Sequence, residues 1–255
     1  MSDGLAERRG VLVTGASRGI GAAIARAFAA AGDGVAVHYR RSAAAAEEVA
    51  ASLPGGGHVV VGADLADADA VRRMVDTAAS ELGGLGVLVN NAGVFEPHPI
   101  DATSYEEWRR AWQQTLDVNL LGAANASWCA AQHMMRGGGG SIVNVSSRGA
   151  FRGEPKQPAY GASKAGLIAL GQSLARALAP YGISVTAVAP ALVDTDMAAE
   201  NLAGERGAAR RHESPFCRLA TVEEVAAAVV FLASPEATMT SGTVLDINGA
   251  SYLRM

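Results

Sequence analysis

The chain has 255 residues, of which 49% are hydrophobic and 18% charged, so it can bury a large core and extensive disorder is not expected. A net charge of −4 and scattered arginine pairs, with no long basic stripe, argue against a nucleic-acid-binding protein. Two cysteines are too few for a disulfide framework, and we expect neither a signal peptide nor a membrane span, which favours the cytoplasm.

Short β-branched runs alternate with longer alanine-rich stretches along the chain. The predicted strands are Val11–Thr14, Val35–Tyr39, His58–Val61, Val87–Asn90, Ser141–Val145, Ile183–Val188 and Val244–Ile247. The predicted helices are Gly19–Ala31, Ala43–Leu53, Ala68–Leu82, Ser104–Met135, Ala159–Ala179 and Val222–Ala233. Apolar strands that alternate with helices are typical of a parallel sheet covered on both faces. The fold class is therefore α/β, one doubly wound domain over residues 1–255.

Three segments depart from this regular pattern. The helix Ser104–Met135 is expected to be irregular at its start, and residues 1–9 are expected to be flexible. The polar segment Asp194–Pro215 has no clear strand character. Loops of this length are usually functional or disordered. Two interpretations remain for this segment: it could form a lid over a substrate cleft, or it could be a surface loop without a functional role.

Three glycines follow the first strand within Thr14–Gly21 and precede a helix. Gly15 permits a sharp turn, Gly19 allows the backbone to approach a pyrophosphate, and Gly21 allows the helix to pack closely on the strand. The helix start then offers free N–H groups and a positive dipole end to an anion. Glycines also serve simple tight turns, but this position in an alternating chain favours a dinucleotide site.

Arginines surround the place where the adenosine ribose of such a dinucleotide would lie. A carboxylate at the end of the second strand would select NAD, but none occurs between Gly34 and Ala46. Arg18, Arg40 and Arg41 could instead form charge-assisted bonds to a 2′-phosphate. The pattern favours NADP(H) over NAD(H), although Arg40 and Arg41 could also simply be solvated at a strand end.

Three polar side chains are predicted to converge at the carboxyl end of the sheet. Tyr160 and Lys164 lie four residues apart on one face of a helix, and Ser147 directly follows the fifth strand. Carbonyl reduction needs a proton donor at the oxygen, and a neighbouring lysine would lower the pKa of a tyrosine for that role. A serine hydroxyl can polarise the carbonyl oxygen. These residues predict hydride-transfer chemistry, for which no metal is needed.

The ordered set of motifs resembles the short-chain dehydrogenase/reductase family. The motifs that carry the resemblance are Thr14–Gly21, Asn90-Asn91-Ala92-Gly93, Asn119, Ser147 and Tyr160-Gly161-Ala162-Ser163-Lys164, and the likeness runs from about Gly10 to Asn248. It implies a Rossmann-type sheet of seven parallel strands in the order 3-2-1-4-5-6-7. The relatives that the chain resembles include 3-oxoacyl-carrier-protein reductases.

The resemblance also implies residue roles. Tyr160 would be the catalytic acid/base and Ser147 the substrate-orienting hydroxyl, with Ser146 as the alternative. Lys164 would lower the pKa of Tyr160 and bind the ribose, and Asn119 would hold a water in a proton relay. The expected cofactor-binding residues are Gly15, Ser17, Arg18, Gly19, Ile20, Gly21, Tyr39, Arg40, Arg41, Asp64, Leu65, Asn91, Ala92, Gly93, Tyr160, Lys164, Pro190, Val193 and Thr195.

Some of these positions have a more specific implied contact. Asp64 and Leu65 would touch the adenine, and Thr195 the carboxamide. Ala191 stands where the family usually has glycine, and its methyl could narrow the nicotinamide or substrate pocket. The candidate substrate pocket is Phe95, Gly149, Phe151, Gln157, Ala191, Leu192 and the loop from Met197 to His212.

The leading hypothesis is an NADP(H)-dependent reductase or dehydrogenase for a small ketone, alcohol or sugar-like substrate. Reductases of carrier-protein thioesters usually carry basic residues where this chain has Gly138 and Tyr181, so that activity is the alternative. A non-catalytic dinucleotide sensor is the second alternative. Family members are typically tetramers or dimers that pair through helices matching Ser104–Met135 and Ala159–Ala179.

The histidines and tryptophans are interpreted mainly as surface or packing residues. The histidines are His38, His58, His98, His133 and His212, and their spacing does not suit a metal. His98 alone could border the substrate. Trp108, Trp112 and Trp128 fall in the long helix and are interpreted as packing residues at an oligomer face.

Overall fold

Seven strands form one parallel sheet in the order β3-β2-β1-β4-β5-β6-β7, which confirms the predicted topology. The structure is a computed structural model that describes residues 8–194 and 211–254. The strands are β1 Gly10–Val13, β2 Gly34–Tyr39, β3 Val59–Gly62, β4 Val87–Asn90, β5 Gly140–Val145, β6 Ile183–Pro190 and β7 Val244–Ile247. They lie within one or two residues of the predicted bounds.

Helices cover both faces of the sheet. They are α1 Gly19–Ala30, α2 Ala43–Ser52, α3 Ala68–Glu81, α4 Tyr105–Leu116, α5 Gly122–Arg136, α6 Gly149–Arg152, α7 Pro158–Leu178 and α8 Val222–Leu232. Short 3₁₀ turns follow α7 at Ala179–Tyr181 and α8 at Pro235–Thr240. Among the described helices, none combines the length and apolar character needed to cross a bilayer.

The long fourth helix of the prediction is interrupted in its middle and not at its start. A capping box formed by Ser104 and Glu107 begins α4 cleanly. A π-helical turn, Asp117–Leu121, then separates α4 from α5. Such turns are rare and often occur at functional sites. The predicted irregularity was therefore wrong in position, because the local sequence caps the helix well and the tertiary site distorts it further along.

Two apolar clusters hold the sheet between its helices. Side chains alternate along β1, so Val11 and Val13 pack with Phe28 of α1 and with α8 on one face. Leu12 packs with residues of α3 and α5, such as Met134, on the other. Valine is the commonest residue of the first cluster and alanine of the second, so small side chains let the helices approach the sheet closely.

Arg9, which directly precedes β1, makes side-chain contacts with two other parts of the domain. Arg9 forms an ion pair with Asp33 at 2.7 Å, and its guanidinium also donates to the carbonyl oxygen of Ala233. These contacts join Arg9 to the folded domain, and the flexibility of residues 1–9 stays a prediction, while residues 1–7 lie outside the described part. Of the predicted lid, residues 195–210 also lie outside it.

Candidate active site

The glycine turn between β1 and α1 has the shape of a phosphate cradle. Gly15 and Gly19 have positive φ values of 64° and 55°, which favour glycine. A Cβ on Gly21 would lie 2.3 Å from the carbonyl oxygen of Gly15, so only glycine permits this approach. No side chain caps α1, and its first turn contains no acidic residue. The helix start is therefore open to an anion.

Thr14 and Asn91 fix the base of this turn. The Thr14 hydroxyl accepts hydrogen bonds from the main-chain N–H groups of Asn91 (2.9 Å) and Ala92 (3.0 Å) and donates to the carbonyl oxygen of Val89. The Asn91 amide donates to the carbonyl oxygens of Thr14 and Gly15. Asn91 therefore shapes the cradle from behind. Thr14 belongs to the predicted glycine motif but had no predicted role of its own, although a polar residue after a fully buried strand needs partners.

The three arginines follow two neighbouring strands, Arg18 at the start of α1 after β1 and Arg40 and Arg41 after β2. Arg18 and Arg41 are exposed, and the Arg40 side chain is 31% exposed. Arg40 lies 4.0 Å from Asp64, a long ion pair that leaves most of its guanidinium donors available. The open helix start, the close glycine packing and these cations fit a dinucleotide that bears an additional phosphate.

Several expected cofactor contacts have side chains turned into the protein. Leu65 is 5% exposed and lies against Gly122, and Val193 is 6% exposed within the core on the α8 face. Only their main-chain groups can therefore reach a cofactor. Ile20 packs partly on the same core, and the Tyr39 ring lies against Gly62. Thr195 lies outside the described residues.

Tyr160 and Lys164 stand one turn apart on α7, as predicted. The Lys164 ammonium donates to the carbonyl oxygen of Val145 at 2.8 Å and lies 5.8 Å from the centre of the Tyr160 ring. Its side chain is almost fully buried. The carbonyl group at the end of β5 thus fixes the lysine beside the tyrosine.

The two serines that follow β5 have different partners. The Ser146 hydroxyl donates to the carbonyl oxygen of Lys164 at 2.9 Å, so it serves to join β5 to α7. The Ser147 hydroxyl accepts from the N–H of Gly149 at 3.0 Å, and the Ser147 side chain acts to lower the pKa of Tyr160. This geometry favours Ser147 over Ser146 as the serine that can act together with Tyr160.

The pKa values in this cluster differ from the expectation. Burial raises the pKa of Tyr160 above 10, the bond from Ser147 opposes this rise, and the charge of Glu154 adds to it. Burial lowers the pKa of Lys164 from 10.5 to about 8. The expected lowering of the tyrosine pKa by the lysine was therefore wrong for the free protein, because desolvation outweighs other influences. A raised pKa keeps Tyr160 protonated at neutral pH.

Asn119 lies in the π-helical turn and joins two parts of the site. Its carbonyl oxygen accepts from the N–H of Val94, and its amide donates to the carbonyl oxygen of Val94 and to the Ser163 hydroxyl. A Cβ on Gly93 would lie 3.4 Å from Asn119 Oδ1 and 3.5 Å from Lys164 Nζ. Asn119 thus anchors α7 to the segment after β4. Its role in holding a relay water stays a prediction.

The candidate substrate pocket is only partly assembled as expected. Phe95 is 51% exposed and packs edge-on against Tyr160, with ring centres 4.8 Å apart. Phe151 lies beneath the Arg254 guanidinium at 4.4 Å, and Gln157 is buried at the start of α7. Phe95 is therefore the exposed apolar group in direct contact with the candidate catalytic tyrosine.

His98 is buried and holds the start of α7, so its expected position beside the substrate was wrong. Its Nδ1 bonds to the carbonyl oxygen of Glu96, and its Nε2 accepts from the N–H of Ala159. Trp108 packs edge-on against His98, and Trp112 packs on Trp108. These two tryptophans therefore pack within the molecule while staying partly exposed, and their place at an oligomer face stays a prediction.

Arg148, directly after Ser147, is a buried charge that the sequence analysis did not place in the site. Its guanidinium donates to the Ser251 hydroxyl at 2.6 Å and to Glu213 at 2.8 Å. It thus ties the end of β5 to the segment after residue 210 and to the carboxyl end of the chain. A cavity of about 290 Å³ adjoins it, but neither Ser147 nor Tyr160 lines that cavity.

Ala191 accommodates its methyl group without backbone strain. Its N–H donates to the carbonyl oxygen of Ile247. Among the described residues, the non-glycine positions with positive φ are Cys217 and Ala250, so Ala191 is not among them. The glycine of the family pattern is not needed here for its conformational freedom.

The fold and the side chains at the carboxyl end of its strands define a dinucleotide-dependent oxidoreductase. The family model described as "Enoyl-(Acyl carrier protein) reductase" matches residues 15–250. A 3-oxoacyl-[acyl-carrier-protein] reductase from Staphylococcus aureus is 38% identical over 247 residues, which cover 96% of this chain and 98% of that protein. A cis-4-hydroxycyclohexanecarboxylate dehydrogenase from Sinomonas cyclohexanicum is 40% identical and covers 98% of each chain.

A solved structure supports the same assignment. The short chain dehydrogenase from Burkholderia cenocepacia J2315, crystallised in complex with NADP, superposes with a TM-score of 0.84 at 40% identity, over 95% of this chain and 97% of that one. The chain belongs to the short-chain dehydrogenase/reductase family, and it is an oxidoreductase that acts on alcohol or carbonyl groups.

Proposed function

We propose that this protein is an NADP(H)-dependent carbonyl reductase or alcohol dehydrogenase for a small molecule. The observation that carries the proposal is the junction of β5 and α7, where the Ser147 side chain influences the pKa of Tyr160 and the Lys164 ammonium lies 5.8 Å from the centre of the tyrosine ring. A protein that only bound a dinucleotide would not need a buried lysine held against a tyrosine.

The side chains can divide the proton chemistry between them. A bound NADPH would supply the hydride for the carbonyl carbon of the substrate. The Ser147 hydroxyl binds the carbonyl oxygen, and the Tyr160 hydroxyl gives its proton to that oxygen as the alcohol forms. The Val145 carbonyl oxygen holds Lys164 in place near the tyrosine ring, and the raised pKa of Tyr160 keeps its proton available at neutral pH.

The preference for NADP(H) over NAD(H) rests on the arginines. Arg40 and Arg41 are solvent-accessible at the carboxyl end of β2, where the adenosine ribose of a bound dinucleotide would lie, and Arg18 is exposed at the start of α1. Asp64 is the nearby carboxylate, and it lies 4.0 Å from Arg40. A doubly charged 2′-phosphate would meet a net positive surface there. The Burkholderia cenocepacia relative, which was crystallised with NADP, supports this preference.

A free small molecule is the proposed substrate, and a carrier-bound thioester is the alternative. The exposed ring of Phe95 beside Tyr160 suits an apolar group next to the reacting carbon. The Staphylococcus aureus relative favours the thioester, but the positions expected to be basic for a carrier protein are Gly138 and Tyr181.

The test is NADPH oxidation with matched panels of cyclic ketones, linear ketones and acetoacetyl-CoA. Turnover of cyclic or linear ketones that exceeds turnover of acetoacetyl-CoA supports the proposal. Preferential reduction of acetoacetyl-CoA would support the thioester alternative. Tight NADPH binding without turnover of any substrate would support a sensor.

We further propose a tetramer that uses two apolar faces. Leu121 and Trp128 are exposed, at 51% and 63%, on the face formed by the π-helical turn and α5. Phe231 of α8 and Met239 after it are exposed, at 53% and 96%, on a second face. Contiguous exposed apolar patches mark interaction sites, and each of these pairs is proposed to belong to one such patch. Light scattering should show a tetramer, with Trp128→Glu and Phe231→Glu each reducing it to a dimer.

The cytoplasm stays the expected location. Cys129 is buried, Cys217 is exposed, and both are free. Free thiols in a two-cysteine chain suit a reducing compartment.

A further inference from the structure

His38 connects the glycine turn to the end of β3. It is the last residue but one of β2 and is 2% exposed. Its Nδ1 accepts a hydrogen bond from the N–H of Gly15 at 2.9 Å, and its Nε2 lies 3.1 Å from the carbonyl oxygen of Ala63. Because the Gly15 N–H can only donate and the Ala63 carbonyl can only accept, both bonds form only when His38 is neutral with its proton on Nε2.

The main chain of His38 holds the same turn. Its carbonyl oxygen accepts from the N–H of Ala16 at 2.8 Å. One residue therefore binds the first two N–H groups after Thr14, while the Asn91 amide binds the carbonyl oxygens on the opposite side. The beginning of the turn is thus fixed entirely by protein, and the N–H groups at the start of α1 remain for a phosphate.

We propose that His38 is a positioning residue that clamps the glycine turn in its phosphate-binding shape, and that protonation of its ring releases the turn and weakens NADP(H) binding. A charged imidazole carries a proton on Nδ1, which would face the N–H of Gly15 as donor against donor. The proposal rests on the proposed dinucleotide site, but the clamp itself is a property of the free protein.

The surroundings favour the neutral ring at neutral pH. Burial lowers the pKa of His38 below 6.5, while the bond to Ala63 and the charge of Asp64 act in the opposite direction. Asp64, which follows β3, lies 4.0 Å from Arg40 at the end of β2. On the other side, the turn contributes Thr14, Gly15, Ala16 and Ser17, none of which is charged, before the exposed Arg18. The clamp should therefore open only below neutral pH.

The chain offers a matched control for this histidine. His58 uses its ring in the same way, with Nδ1 accepting from the N–H of Val35 and Nε2 bonded to the carbonyl oxygen of Pro54. It lies at the opposite end of β2 and β3, away from the glycine turn. If the loss of any histidine ring bonded in this way weakens NADPH binding, variants of both His38 and His58 should show the effect. If the glycine turn is responsible, only variants of His38 should show it.

The experiment is a titration of NADPH fluorescence between pH 7.5 and pH 5 with wild type, His38→Asn, His38→Ala and His58→Asn. Asn keeps an acceptor near Gly15 but does not titrate. At pH 7.5 we expect His38→Ala to bind about tenfold more weakly, because a buried N–H loses its acceptor, and His38→Asn to recover most of that loss. On acidification, Kd for wild type and His58→Asn should rise ~3-fold or more beyond the rise for His38→Asn.

The cofactor's own phosphate also titrates in this pH range, but it contributes equally to the binding of both proteins. Subtracting the pH profile of Kd for His38→Asn from that of wild type therefore removes this contribution. Equal pH profiles for wild type and His38→Asn would overturn the proposal, as would unchanged binding by His38→Ala. If wild type itself fails to bind NADPH at pH 7.5, the proposed function is what fails. NMR of the free protein then still decides the clamp, which requires a neutral Nε2–H ring at pH 7 and a Gly15 amide that loses its protection from exchange in His38→Ala.

Discussion

The candidate active site has two ends that are formed by different kinds of group. The nucleotide end is the glycine turn between β1 and α1, and the chemical end is the junction of β5 and α7. At the nucleotide end, the groups that shape the site are main-chain atoms, glycines and the residues that hold them, such as Thr14 and Asn91. At the chemical end, side chains from β5 and α7 meet, and each has a specific partner. The nucleotide end therefore depends on backbone shape, and the chemical end depends on individual functional groups. Substitutions at the two ends should affect different measured quantities.

The largest expected effect comes from removing one hydroxyl at the chemical end. Tyr160→Phe keeps the ring against Phe95 but removes the proton donor, so kcat should fall by ~10³-fold or more. NADPH affinity should stay close to that of wild type. The matched control is Tyr181→Phe, which removes an exposed hydroxyl after α7 and should leave kcat unchanged. Steady-state kinetics that show a small loss for Tyr160→Phe would contradict its role as the proton donor.

The next effect is on the pH dependence of stability. The pKa of Lys164 in the folded protein is about 8, against 10.5 as its ordinary value. Between these values the unfolded chain keeps a proton that the folded chain has released, so this group makes the free energy of unfolding rise with pH by up to about 3 kcal/mol. Urea unfolding near pH 7.5 and pH 10 should show this contribution in wild type and lack it in Lys164→Met.

The other lysine of the chain, Lys156, is exposed and provides the control. Lys156→Met should keep the pH dependence of wild type. If Lys164→Met also keeps it, Lys164 is not a desolvated cation in the folded protein.

A smaller effect is expected from crowding the backbone at the nucleotide end. The methyl of Gly21→Ala would lie 2.3 Å from the carbonyl oxygen of Gly15 and 2.6 Å from the Asn91 amide, so the turn must shift. Overpacking of this kind costs about 2 kcal/mol and should weaken NADPH binding, measured by fluorescence titration. Gly56→Ala is the control, because its Cβ would have no neighbour within 4 Å. Equal NADPH affinity for the two variants would show that the turn does not need close packing.

The sequence predicted more of the fold than of the contacts between side chains. The parallel sheet followed from continuous apolar runs that alternate with helices, and the glycine turn followed from local spacing, because both depend on neighbours in sequence. The strand order was implied only by the resemblance to the short-chain dehydrogenase/reductase family. The clamp at His38 and the bridge from Arg148 to Glu213 connect residues far apart along the chain, so no local pattern indicates them. A buried histidine at the end of an otherwise apolar strand was the available signal.

The chemistry of the site was predicted in residue identity but not in electrostatics. Spacing selected Ser147, and the bond from Ser146 to Lys164 explains why the neighbouring serine is used otherwise. The pKa of Tyr160 depends on how completely the fold removes water from the ring, which the sequence does not show. Asn119 in the π-helical turn likewise bonds to Val94 and Ser163, partners distant in sequence that no local pattern indicates.

The most direct test of separate nucleotide and chemical ends is a titration of NADPH and NADH against wild type, Arg40→Asp/Arg41→Ala and Tyr160→Phe, with nicotinamide fluorescence as the readout. We expect wild type and Tyr160→Phe to prefer NADPH, and the arginine variant to lose about tenfold or more of that preference, since each charge-assisted bond to phosphate is strong. Equal binding of both dinucleotides by wild type would contradict the arginine assignment. A loss of NADPH binding in Tyr160→Phe would contradict the separation of the two ends.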